Sequence, residues 1–130
     1  VGSVRVTGAY AYKQLLNENG WLPLGTDFPV EDISTFKTFY AAVVRKDAKG
    51  WPDAGYQMEN ALSREETLKG MTIWAAKSNF EEKEKGSLEK GKFADFVILD
   101  EDLMKVAPEK ILAVKVLKTF LGGEKVYEKK

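Results

Sequence analysis

The chain has 130 residues, 44% of them apolar, and its 20 basic and 20 acidic residues cancel to a formal charge of zero, which bounds it to one compact domain or a piece of a larger one. The two signs alternate, leaving no basic stripe for a nucleic acid backbone, and no run approaches the roughly 18 apolar residues of a membrane span, so neither nucleic acid nor membrane is an expected partner and a soluble, cytoplasmic protein is expected. With no Cys and no His there is no disulfide framework, no thiolate or imidazole metal ligand and no thiol nucleophile, and any chemistry must come from carboxylates.

The first residue is Val1 rather than methionine, which leaves room for a removed leader or an upstream domain. From Ala9 to Asn19, Tyr12, Leu15 and Leu16 recur at helical spacing, and Gly20 supplies the left-handed residue that closes such a helix. Trp21 to Gly25 reads as a short buried strand, with Pro23 marking an edge or a bulge. Ser34 can cap a helix running to Arg45 that carries Phe36, Tyr40, Val43 and Val44 on one face. Gly50, Pro52, Asp53 and Gly55 then punctuate a loop from Ala48 to Asn60, in which Trp51, Tyr56 and Met58 are apolar anchors. That loop is long enough to cover a substrate pocket. Ser63-Arg64-Glu65-Glu66 is a capping box, opening a helix to about Asn79 with Leu68, Met71, Trp74 and Ala75 as its apolar stripe.

The charged run Glu81 to Lys85 reads as a solvated connection, and the pattern changes at Gly86. Phe93 to Leu99 is a nearly continuous apolar strand, Asp100 to Glu109 is polar and turn-like, and Val114 to Phe120 is β-branched and extended. Gly122-Gly123 is the two-residue connection of a tight hairpin into Glu124 to Glu128. Helix, strand and helix in the first half are a portion of a β/α repeat, and the three later strands indicate a small antiparallel or mixed sheet.

Among the carboxylates Asp27 is the leading candidate, because it directly follows the strand ending at Gly25, whose freedom would let the backbone turn sharply and present an acid above the strand end. The same Gly-Thr-Asp sequence equally suits an aspartate that only caps a turn or steadies the start of the next helix. Asp95 alternates with apolar neighbours and is read as solvent-facing or bonded to a turn amide. Asp100, Glu101 and Asp102 are read as a solvated turn rather than a calcium loop. Lys13 and Arg5 lie beside no glycine-rich phosphate loop.

Leu24-Gly25-Thr26-Asp27-Phe28-Pro29-Val30, Ala61 to Leu68, Lys85-Gly86-Ser87-Leu88-Glu89-Lys90-Gly91-Lys92-Phe93-Ala94-Asp95-Phe96-Val97-Ile98-Leu99-Asp100 and Val116 to Tyr127 together resemble, in order and separation, the carboxy-terminal third of the amidohydrolase superfamily. The similarity runs from about Arg5 to Glu128 and is to the metal-dependent hydrolases of amidohydrolase family 3 related to N-substituted formamide deformylases. The resemblance implies an α/β fold, the carboxy-terminal fragment of a metal-dependent (β/α)8 barrel with strands of the small β-sandwich beside it. Residues 1–84 would be the last β/α units and residues 85–130 sandwich strands. Asp27 would match the aspartate ending the eighth barrel strand, which ligates a divalent metal, commonly zinc, and takes a proton from the attacking water. The family's other ligands are histidines on earlier strands, with a bridging lysine in two-metal members, and this chain has no histidine.

The expected activity is therefore hydrolysis of carbon–nitrogen, amide-type bonds of small molecules by metal-activated water, with no metal held and no turnover by this chain alone. Its expected partners are the missing amino-terminal barrel portion and an amide substrate. Trp21, Phe36, Phe39, Trp74 and Phe80 could form faces made to meet that portion, or faces for self-association, or simply this chain's own core. The alternative reading is a non-catalytic α+β protein-interaction module in which Asp27 is only a turn residue.

Overall fold

The computed structural model describes residues 2–130. Five short helices come first: α1 (Ser3–Val6), α2 (Tyr12–Asn19), α3 (Thr35–Val44), α4 (Arg64–Met71) and α5 (Ile73–Ser78). A three-stranded sheet follows, β1 (Phe96–Leu99), β2 (Val116–Leu121) and β3 (Glu124–Glu128), with a 3-10 helix at Pro108–Ala113 between β1 and β2 and another at Met58–Asn60 before α4.

Local signals are met where the partners lie within a few residues of each other. Gly20 closes α2 in the left-handed conformation (φ 78°), its amide donating to the Leu16 carbonyl at 2.7 Å, a position where glycine carries no Cβ penalty. The capping box is complete, the Glu66 amide donating to Ser63 Oγ at 3.1 Å and the Ser63 amide to Glu66 Oε2 at 2.8 Å. At α3, Ser34 occupies the N-cap position without a side-chain cap bond. Asp32 instead organises that turn, its Oδ1 accepting from the Ser34 amide at 2.8 Å.

The helix expected from Ser63 to Asn79 is broken at Thr72 (φ −127°, ψ −96°) into α4 and α5. Thr72 Oγ1 donates to the Leu68 carbonyl at 2.7 Å, a back-bond that bends helices. Gly86 packs into the break, where a Cβ would lie 2.9 Å from Ile73 Cα.

Trp21 to Gly25 does not form the expected strand. The segment pairs with no strand among the described residues, and its amide at Leu24 donates to the Gly70 carbonyl of α4 at 2.9 Å. A strand exists only beside a neighbour, and this segment has none among the described residues. What holds the segment is packing: Leu22, Leu24, Tyr12 and Trp74 surround a buried cluster of Leu16, Ala42 and Leu62.

Helix α3 is clasped from both sides. Ala42 belongs to that first cluster, while Phe39 and Tyr40 join Ile111 in a second, flanked by Val43, Met71, Leu103 and Leu112. The single apolar face read from Phe36, Tyr40, Val43 and Val44 is thus too narrow. Phe39, considered above for an outward face, is fully buried, whereas Trp21, Phe36 and Trp74 are half-buried and Phe80 is 94% exposed. Arg64 ties α4 to the segment before the second 3-10 helix, its Nη1 and Nη2 donating to the Leu103 and Val106 carbonyls at 2.7 and 2.6 Å.

The sheet is antiparallel throughout, in the order β1-β2-β3. Phe96 faces Phe120 across β1 and β2, their rings stacked 4.5 Å apart. Strand β1 is shorter than the expected Phe93–Leu99 because the Phe93 amide donates back to the Glu84 carbonyl at 2.8 Å. Strand β2 starts later than Val114, which caps the second 3-10 helix. The fold is thus mixed helix and small antiparallel sheet.

Candidate functional site

Asp27 stands where the extended segment turns toward α3. The turn is made by Asp27 itself (φ 55°), whereas Gly25 is not in the left-handed region; aspartate is among the few residues that accept this conformation readily. The Asp27 carbonyl accepts from the Val30 amide at 2.8 Å, and Thr26 Oγ1 accepts from the Phe28 amide at 3.2 Å. These bonds leave the exposed side chain on the wall of a groove of about 850 Å³.

The groove also takes in the Trp51–Tyr56 loop, so the structure brings together Asp27 and the segment read as a pocket cover. Trp51 is 69% exposed there. The loop is held by Asp47, whose Oδ1 accepts from the Lys49 and Trp51 amides at 2.8 and 3.0 Å, and by the Tyr56 amide donating to the Arg45 carbonyl at 2.7 Å. Bonds from the Trp51 and Lys49 amides hold the Asp47 carboxyl below its usual range. Asp32 is lowered too, first by the bond from Lys37 Nζ at 2.8 Å and then by the Ser34 amide.

Sequence reasoning missed the role of Arg45. It reads as the basic end of α3, yet it is buried at 6% exposure, caps the helix in the left-handed conformation (φ 57°), and donates from Nε to the Tyr56 carbonyl at 2.8 Å. Its guanidinium lies 5.5 Å from the ring centroids of both Tyr12 and Tyr56. Only a tyrosine on the helix before and another on the loop after could have hinted at this, and their distances in sequence give no reason to pair them.

The remaining candidates stand apart from the groove. Lys13 pairs with Glu66, the residue that also closes the capping box. Asp95 is exposed and Oδ1 accepts from the Gly122 amide at 2.7 Å, Asp100 Oδ1 accepts from the Lys115 amide at 2.7 Å, and Asp102 Oδ1 accepts from the Met104 amide at 2.9 Å. Asp95 and Asp102 are thus bonded to turn amides, the first as its surroundings in sequence suggested, and Asp100 to the amide that leads into β2. Among the described residues no group of three or more His, Cys, Asp or Glu side chains could hold a metal ion. A divalent ion in a protein site needs about three or more protein donors, so Asp27 and its neighbours do not fit a metal by themselves. Among the described residues no helix is long and apolar enough to cross a membrane.

Comparison with known proteins adds a family. The profile described as "Amidohydrolase family" matches residues 1–127. The chain is 38% identical over 128 residues to the Arabidopsis thaliana protein LONG AFTER FAR-RED 3, covering 98% of this chain and 21% of that protein. It is 29% identical over 129 residues to YtcJ of Bacillus subtilis (strain 168), named as an amidohydrolase, with 99% of this chain and 24% of that one covered. It is 28% identical over 120 residues to the N-substituted formamide deformylase of Arthrobacter pascens, covering 92% and 22%. The chain therefore spans about a fifth to a quarter of the length of these relatives.

Proposed function

Because this chain belongs to the amidohydrolase family, we propose that it is the carboxy-terminal part of a metal-dependent hydrolase acting on the carbon–nitrogen bonds of small amide-type molecules, with Asp27 as a metal ligand and general base. The observation that carries this reading is the match across residues 1–127 combined with an exposed Asp27 on the wall of a groove. In the longer enzyme a divalent ion, commonly zinc in this family, would lower the pKa of a bound water.

Asp27's own share is to hold one ligand position, accept a proton from water and return it to the departing nitrogen. The other donors would come from a part of such a protein that this sequence does not contain, so the chain alone is inactive in this reading. Residues 1–84 would complete the barrel and 85–130 the adjoining β-sandwich, and the missing barrel portion would be the principal partner. The substrate class follows the formamide deformylase named among the relatives.

The test is Asp27→Asn in the longer enzyme assayed with a panel of N-substituted amides and added zinc. Asparagine tolerates the same left-handed backbone, so the fold should persist while activity falls by several orders of magnitude. A broad amidase activity retained by a folded Asp27→Asn enzyme would remove Asp27 from the chemistry and favour the reading in which it is a turn residue of an interaction module.

A further inference from the structure

Among the described residues, helix α3 ends on a cation without a counter-charge. Arg45 is 6% exposed, its Nε is committed to the Tyr56 carbonyl, and its buried Nη2 has no hydrogen-bond partner. Burying a guanidinium unpaired is costly, and such groups in folded proteins are ordinarily met by an acceptor, most often a carboxylate. Two tyrosine rings at 5.5 Å stabilise the positive charge through their faces but offer no hydrogen-bond acceptor along the plane of the guanidinium.

We propose that Arg45 anchors a carboxylate-binding site in the groove it lines, and that the ligand is a small organic acid with an aromatic or otherwise apolar body. The acids on the same wall do not fill this role. Asp32 is bonded to Lys37 and the Ser34 amide, and Asp47 to the Lys49 and Trp51 amides. Together with Asp27 and Glu31, which also line the groove, they would repel a dianion such as phosphate more than a carboxylate with its single charge. Tyr10, Tyr12, Leu24, Trp51 and Tyr56 line the same space, and a volume of about 850 Å³ falls within the range of small-molecule sites. The planar fork of Arg suits a carboxylate, and the rings suit an apolar body. The site stands on Arg45 and its surroundings, independently of the role assigned to Asp27.

The test is a titration of the 15N-labelled chain, at constant ionic strength, with sodium benzoate, neutral benzamide, sodium phosphate and sodium chloride, following the Arg45 Nε–H and Trp51 indole N–H signals. Benzoate should give a saturable shift of both, benzamide should bind at least about tenfold more weakly, the factor expected for losing a hydrogen bond to a charged group, and phosphate should bind more weakly than benzoate because the acids repel it. Arg45→Lys, which keeps the charge and loses the planar fork, should weaken benzoate by a similar factor. If that variant does not fold, judged by its circular dichroism, the benzoate and benzamide pair on the unsubstituted chain decides. Benzoate shifts that match chloride, or an affinity for benzoate unchanged in a folded Arg45→Lys chain, overturn the proposal. So does concentration-dependent self-association abolished by Arg45→Lys, which would mean that a side-chain carboxylate from a second copy takes the place.

Discussion

Replacing Gly70 with alanine tests how the segment that carries Asp27 is held. Gly70 is buried on α4, its carbonyl accepts from the Leu24 amide at 2.9 Å, and an added Cβ would lie 2.8 Å from Leu24 Cγ and 2.9 Å from the Leu22 carbonyl oxygen. The leucine can adjust in part, but the carbonyl belongs to the backbone and can retreat only by moving the whole extended segment. Overpacking of this kind costs about 1–3 kcal/mol, loss of the Leu24 bond about 1 kcal/mol more, and the better helix propensity of alanine returns about 1 kcal/mol. The expected balance for Gly70→Ala is a loss of about 1–3 kcal/mol, a fall in Tm of roughly 4–11 °C for a domain of this size. Gly25→Ala is the control, since a Cβ there meets nothing within 4 Å and the residue is not in the left-handed region; it should be neutral. Thermal melts followed by circular dichroism, with hydrogen exchange at the Leu24 amide, check both. An unchanged or raised Tm for Gly70→Ala with Leu24 still protected would show that α4 and the segment are not packed as tightly as described.

Two further outcomes concern long-range ties. Arg64→Lys cannot reach the Leu103 and Val106 carbonyls together as the guanidinium does at 2.7 and 2.6 Å, and should lower stability by about 1–2 kcal/mol in urea titration; a change under about 0.5 kcal/mol would mean that the fork contributes nothing. For Glu66, burial works to raise its pKa, but the bonds from Lys13 and Ser63 outweigh it and leave the carboxyl below its ordinary value of 4.5. A carboxyl depressed by folding stabilises fully above the unfolded value and loses that contribution as pH falls through the folded one. The Tm difference between the unsubstituted chain and Glu66→Gln should therefore be largest above pH 4.5 and shrink in more acidic solution. A difference constant with pH would exclude the ionic contribution.

Sequence reading succeeded where both partners of an interaction lie within one turn of chain. Gly20 ends α2, and Ser63 and Glu66 start α4, through bonds to residues at most four positions away, while Gly122-Gly123 joins β2 to β3 between the paired Leu121 and Glu124, so composition and spacing were enough. A turn amide for Asp95 was anticipated in kind, though its donor, Gly122, lies in the distant hairpin turn, and the bond from the Lys115 amide to Asp100 was not anticipated. Asp27 was singled out by its place after an apolar segment and by resemblance. That it shares a groove with Trp51 and Tyr56 was not evident from the residues around it.

Helices α2 and α3, the start of α4, the caps at Gly20 and Ser63–Glu66, the hairpin at Gly122-Gly123, the absence of thiol and imidazole chemistry and the family were determined by the residues alone. Only the tertiary structure decided that α3 is clasped on two sides with Phe39 inside, that the long helix breaks at Thr72, and that Trp21 to Gly25 leans on α4 rather than on a strand. It alone left Arg45 buried between Tyr12 and Tyr56 with a free donor. The division has one cause: hydrogen bonds and caps between near neighbours depend on local geometry, whereas burial and the pairing of charges depend on which distant segments arrive at the same place.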